Sequence, residues 1–203
     1  DPEELLDTIR TMGGDPALLE RLYLDDGRVP VRRERTTPFS GLRHALHAAL
    51  EQAREAALSE LWANRAPDLP IATPEEAVVL ASIVEKETGI AEERPAIAGV
   101  FVRRLQIGMR LQTDPTVIYG LGESFDGNLR RADLLADTPY NTYTREGLPP
   151  SPISMPGKAA LLAAVQPAAS KALYFVARGD GSSEFSESLD AHNRAVNKYQ
   201  RGQ

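Results

Sequence analysis

The chain of 203 residues contains no cysteine, which excludes disulfides, thiol nucleophiles and thiolate metal sites together. Histidine is almost as scarce: His44, His47 and His192 are the whole supply. His44 and His47 stand three apart on a helical pattern, a spacing that could hold a metal, but no third ligand lies nearby, and a solvated helix face accounts for them. No serine is marked out as a partner for His192, so a Ser/His/Asp triad has no support. Glycine-rich phosphate loops, GxSxG and HExxH are missing. No apolar run reaches the roughly eighteen residues of a membrane span; the longest, Ala77 to Val84, is interrupted by Ser82. Basic excess is lacking too. With 29 acidic against 23 basic side chains and a net charge of −6, no nucleic-acid partner is expected.

What is present is ordinary for a folded domain: 42% hydrophobic and 26% charged residues, in a length suited to one domain or one domain with an appendage. The chain opens on Asp1-Pro2, without Met or a signal-like segment, and reads as a piece of something longer. Residues 1–36 form a leader with two short helices, the second capped by Asp15, and a short extended piece at Val29-Pro30-Val31. Residues 37–203 form the main domain. Thr37-Pro38 precedes a long helical pattern running through Leu42, Leu46, Leu50, Leu58 and Trp62. Thr73-Pro74-Glu75-Glu76 is a compact helix start, with a helix expected to Gly89, and another follows from about Pro95 to Gln106. Gln112 to Pro156 is then rich in Thr, Pro, Gly, Asn and Tyr, with a single short helix expected at Arg131 to Leu135. A stretch of that length without regular structure is usually functional or disordered, and its amides and aromatics favour function. Gly157 to Val165 reads as helix, Ala172–Ala177 and Glu184–Ser186 as a hairpin, and Ser188–Tyr199 as a last helix. The class is α+β: mostly helical with a small antiparallel sheet.

Elimination leaves carboxylates to carry chemistry. The helix from Pro74 is apolar nearly all round between Ala77 and Val84, hence buried, and runs straight into Glu85-Lys86-Glu87. Glu85 shares a stripe with Val78, Ala81 and Ser82, and a carboxyl at the rim of such a surface is partly desolvated, the circumstance that suits a general acid. Glu87 has its own apolar stripe in Leu80, Ile83 and Val84, so periodicity does not choose between the two acids, and a plain polar helix end explains both equally well. A second cluster surrounds Gln112 and Asp114, where Asp114-Pro115 is also a turn or helix-start signal. A third is Tyr140-Asn141-Thr142-Tyr143. Alternating aromatics, amides and hydroxyls suit a sugar site, with flat faces for rings and polar groups for hydroxyls, although a locally satisfied Tyr-packed loop fits the same pattern.

Two long segments carry a resemblance. Ala81-Ser82-Ile83-Val84-Glu85-Lys86-Glu87-Thr88 and Arg103 through Gly120, followed in order by Tyr140-Asn141-Thr142-Tyr143, Gly147-Leu148-Pro149-Pro150, Tyr174-Phe175-Val176 and His192-Asn193, resemble the endolytic murein transglycosylase (MltG, YceG-like) family over about Thr73 to Tyr199. The resemblance implies an enzyme that cuts peptidoglycan glycan strands internally between N-acetylmuramic acid and N-acetylglucosamine. It would leave a 1,6-anhydromuramyl end and need neither metal nor cofactor. It implies Glu85 as the catalytic acid, a choice periodicity had left open, with Gln112, Asp114, Tyr140, Asn141 and Tyr143 as sugar-binding candidates. Family members are usually anchored at the cytoplasmic membrane by one N-terminal helix, absent from this chain, with the catalytic part outside and cell-wall synthases as candidate partners. The leader would then be the remnant of a LysM-like region. Two details depart from the family pattern: Leu22 to Arg28 replaces a Phe-Pro-Asp-Thr-Tyr segment, and Ser183 stands where a His is common. The rival readings are a muramidase-type hydrolase, with Asp114 or Glu87 activating water, and a wall-binding scaffold without activity.

Overall fold

The computed structural model of the protein describes Glu55 and residues 58–202. The leader, the cap at Asp15, the helix start at Thr37-Pro38, His44 and His47 lie outside the described residues. The end of the long helical pattern is present: residues 58–63 are helical and the chain leaves the helix at Asn64.

Helix α1 (Pro74–Glu87) begins as its residues dictate. The Thr73 hydroxyl accepts from the Glu76 amide at 3.2 Å, and Pro74 occupies a first-turn position where no amide is needed. The Glu76 carboxylate reaches back to the Ala72 amide rather than to that of Thr73, so the reciprocal cap closes one residue early. All eight residues from Ala77 to Val84 are buried. Burial of Leu80, Ile83 and Val84 contributes ~1.5–3 kcal/mol each. The helix stops at Glu87, two residues short of the expected Gly89, because Thr88 is extended and its hydroxyl takes the Ile90 amide at 3.0 Å.

A 3₁₀ turn (Ala91–Glu93) leads into α2 (Arg94–Gln106). The expectation of one short helix between Gln112 and Pro156 needs correction. A second one, α3 (Asp114–Leu121), starts at Asp114-Pro115 and is followed by a 3₁₀ turn (Gly122–Ser124). The helix-start signal was there, but eight residues burying only Thr116 and Val117 are too few for periodicity to show. Then come α4 (Arg131–Leu135), α5 (Lys158–Val165), β1 (Tyr174–Ala177), β2 (Ser183–Ser186) and α6 (Leu189–Gln200), the last capped by the Ser188 hydroxyl. The α+β class holds.

Helices α1, α2 and α5 pack together into the core. Gly99 on α2 permits their closest approach to the chain after α5, since a Cβ there would lie 2.6 Å from the Ala168 carbonyl oxygen. The antiparallel pair β1–β2 aligns Phe175 with Phe185. A lone hairpin is marginal in water. This one is held by Phe101 of α2, edge-on to Phe175 at 5.9 Å, and by α6, where His192 stacks on Tyr174 at 5.2 Å. Burial, with the nearby Arg104 charge, holds the His192 imidazole below its ordinary pKa.

Candidate active site

Glu85 and Glu87 leave the end of α1 in different directions and meet different partners. Glu85 is 21% exposed and both its oxygens are occupied: the Arg94 guanidinium donates to Oε1 at 3.3 Å and the Gly157 amide to Oε2 at 3.0 Å. Arg94 is the first residue of α2 and Gly157 the residue before α5. The segment leading to Gly157 is fastened to α1 one turn earlier, where the buried Ser82 hydroxyl accepts from the Ile153 amide at 3.0 Å and the Ser154 hydroxyl donates to the Ser82 carbonyl at 3.0 Å. The three core helices thus converge on one carboxylate.

Glu87 is half-buried and accepts a short hydrogen bond from the Thr113 hydroxyl. Desolvation pushes its carboxyl above the ordinary value; the Thr113 bond opposes this, the Asp114 charge adds to it, and the Arg104 charge opposes it. Thr113 opens α3, and its amide donates to the Thr142 hydroxyl at 3.1 Å, while Thr116 joins the same group at 2.8 Å. Three buried threonines therefore stitch α3 to the 140s loop. A carboxyl with a raised folded pKa supplies stability that is complete below its unfolded value near 4.5 and vanishes as pH rises through the folded value. Glu87→Gln, which can keep the bond to Thr113, should therefore flatten the pH–stability profile above about 4.5, and should gain relative to the wild type toward neutrality. Urea melts across pH 4 to 8 check this; parallel curves would refute it.

The sequence-derived binding candidates separate into four groups. Asp114 and Tyr143 meet directly: the phenol donates to Asp114 Oδ1 at 2.5 Å. Burial, and then the bond to that carboxylate, push the Tyr143 phenol well above its ordinary pKa, so it remains a donor. Gln112 is exposed and adopts a left-handed backbone (φ 49°) uncommon for a residue with a Cβ. Its backbone N–H, donating to the Thr142 carbonyl at 3.1 Å, holds it there. Tyr140 lies in another contact set, its hydroxyl 2.6 Å from that of Ser151 and its ring 4.8 Å from the half-exposed Tyr119. Asn141 does not present its amide to a ligand. It is fully buried, with Nδ2 shared among the carbonyls of Asp133, Leu134 and Ala136 at 2.7–3.2 Å and Oδ1 accepting from the Tyr143 amide at 2.8 Å. Its place is behind the loop, aiming Tyr143.

Sequence reasoning missed Arg94, Gly157 and Arg104. Arg104 is buried and ties α2 to the segment just after it and to the hairpin start: Nη1 donates to the Leu111 carbonyl at 2.6 Å and Nε to the Leu173 carbonyl at 2.7 Å, with the Tyr174 ring 5.2 Å away. One signal for Arg94 was legible. A cation at the first position of a helix opposes the helix dipole, so a partner was to be sought. Nothing local marked Gly157 or Arg104.

Chemically, Glu85 offers two acceptor sites beyond those already used, since a carboxylate has about four, and one of them can carry a proton. Among the described residues no three His, Asp or Glu side chains gather into a metal cage, and no helix is long and apolar enough to cross a membrane.

Three comparisons bear on this arrangement. The pattern of the YceG-like family matches residues 35–198. An endolytic murein transglycosylase of Bacillus subtilis (strain 168) is 43% identical over 122 residues, 60% of this chain and 34% of that protein. One from Streptococcus pneumoniae serotype 2 is 35% identical over 130 residues, 61% of this chain and 23% of that protein. The crystal structure of a yceG-like protein from Listeria monocytogenes aligns with a TM-score of 0.55 at 45% identity, over 60% of this chain and 38% of that one. The aligned parts thus amount to between about a quarter and two fifths of these longer relatives. Because the family pattern runs through the carboxylate, threonine and tyrosine groups just described and across most of the chain, the protein belongs to the YceG-like family.

Proposed function

We propose that the protein is an endolytic peptidoglycan lytic transglycosylase, and the observation that carries this reading is Glu85, a partly exposed carboxyl at the mouth of an apolar helix with both oxygens oriented. Protonated Glu85 gives its proton to the glycosidic oxygen of a MurNAc–GlcNAc β-1,4 bond. The C1–O bond breaks with its electron pair going to that oxygen, and C1 acquires oxocarbenium character. The muramyl 6-hydroxyl attacks C1 and returns its proton to Glu85, which ends the cycle as it began. An internal nucleophile has a large effective concentration and requires no bound water. It requires no second carboxylate beside Glu85 either, and the groups bonded to Glu85 are a cation and an amide. Asp114 with Tyr143 offers a fixed donor–acceptor pair to sugar hydroxyls, Gln112 an exposed amide and Tyr140 an aromatic edge. Asn141 contributes by holding Tyr143. Names shared with murein transglycosylases support the substrate class. The full-length protein would work on the wall side of the cytoplasmic membrane, beside cell-wall synthases, and residues 1–36 would be the remnant of a LysM-like region before a catalytic domain of residues 37–203.

Mass spectrometry of digested glycan tests the reading. Anhydromuramyl ends, lighter by one water than hydrolysed ends, are expected, with the same yield in EDTA because the proposed steps run through Glu85 alone and, among the described residues, no three His, Asp or Glu side chains gather as a metal donor set. Hydrolysed ends would identify a muramidase, and binding without cleavage a scaffold.

A further inference from the structure

We propose that Arg94 is a positioning residue for Glu85, held in place by the β1–β2 hairpin, and that its guanidinium, with the Gly157 amide, takes up the negative charge that appears on Glu85 as the proton leaves. The inference rests on Glu85 being the acid of the proposed reaction.

Arg94 occupies an unfavourable place. It is the first residue of α2, where the helix dipole opposes a cation, and its Nε is buried without a partner. Both costs are tolerated where the side chain, 15% exposed, reaches Glu85 Oε1. Its backbone is clamped from two sides. Immediately before it, the Glu93 carboxylate accepts from the Ser183 amide at 2.6 Å and the Ser183 hydroxyl at 2.8 Å, joining the turn to β2 across ninety residues of chain. Immediately after it, the Pro95 carbonyl accepts from the Ala168 amide at 2.9 Å. Neither clamp touches Glu85, yet together they fix where the guanidinium starts. Such outside support is what keeps a reacting group within reach of its geometry.

The chemistry follows from charge. A hydrogen bond from a guanidinium to a carboxylate is roughly twice as strong as one between neutral groups, so the Arg94 bond strengthens as Glu85 gives up its proton. It weakens again when the muramyl 6-hydroxyl returns one. The gain falls in the transition state, and loss of Arg94 should lower turnover rather than weaken substrate binding.

The test uses the chain as it is, acting on isolated glycan strands, with kcat and KM measured separately. Arg94→Gln should lower kcat by ~10–100-fold and leave KM within about twofold. Arg94→Ala should regain activity with added methylguanidinium, and Glu93→Gln should lower kcat in the same direction by a smaller factor. If Arg94→Gln does not fold, Glu93→Gln decides: a lowered kcat at unchanged KM supports the proposal, and a wild-type kcat overturns it. A raised KM with unchanged kcat in Arg94→Gln would make Arg94 a substrate contact and overturn it too. Failure of the two readings is distinguishable. An inactive Glu85→Gln beside a fully active Arg94→Gln sinks only this inference, whereas an active Glu85→Gln sinks the proposed reaction itself.

Discussion

Glu85→Gln is expected to fold and to lose glycan cleavage by at least ~10²–10⁴-fold, the ordinary worth of one general acid. The amide cannot ionise, so it can neither protonate the leaving oxygen nor accept the proton of the attacking 6-hydroxyl, and both halves of the reaction fail together. The substitution is not silent for the fold. In the wild type both oxygens accept hydrogen bonds, from Arg94 and from Gly157. A glutamine must turn its NH₂ toward one of them, setting donor against donor at a cost of about 1 kcal/mol at this partly exposed site. The thermal midpoint should therefore fall by a few degrees, far too little to explain the lost activity. Glu87→Gln is the control on the same helix end and should stay active, because Glu87 serves the contact with Thr113. Activity retained in Glu85→Gln and lost in Glu87→Gln would move the acid two residues along the helix end, to Glu87.

Asn141→Ala should act in the opposite way, on stability first. It removes the donor shared by three carbonyls at the C-terminal end of α4 and the acceptor for the Tyr143 amide, with Asn141 itself fully buried. Leaving such groups unpaired costs about 2–4 kcal/mol in total, a drop in melting temperature on the order of 5–15 °C for a domain of this size. Asn141→Asp is expected to be no better, since a carboxylate would face three carbonyl oxygens with nothing to donate. Below its melting temperature Asn141→Ala should keep measurable cleavage, reduced because Tyr143 and its bond to Asp114 are less well placed. Calorimetry paired with product assays separates the cases. A variant that melts like the wild type yet turns over slowly would put the amide on the substrate.

Asn141 shows where the sequence stops being informative. Its neighbours Tyr140 and Tyr143 suggest a polar, aromatic binding loop, but whether an amide faces sugar or backbone depends on what lies behind the loop. Here α4 ends behind it with open carbonyls, and the amide closes them. The same limit applies to the two acids of α1. Their stripes are equally apolar, so the pattern left them level; only the arrival of Arg94 and Gly157 at one and Thr113 at the other distinguishes their surroundings.

By itself the sequence determined the elements formed by neighbours: the Thr73 cap, the buried run of α1, the short α4, the hairpin read from Ala172 to Ser186 and a last helix beginning near Ser188. Each rests on propensity, capping or periodicity, which act over a few residues and are written there. It also excluded thiol chemistry and supplied the motifs of the family. The tertiary structure decided the rest: the partners of Glu85, the raised carboxyl of Glu87, the burial of Asn141, and the link from Ser183 through Glu93 to Arg94. Those depend on contacts between residues up to ninety apart, and such contacts are set by how helices pack, which no local pattern encodes.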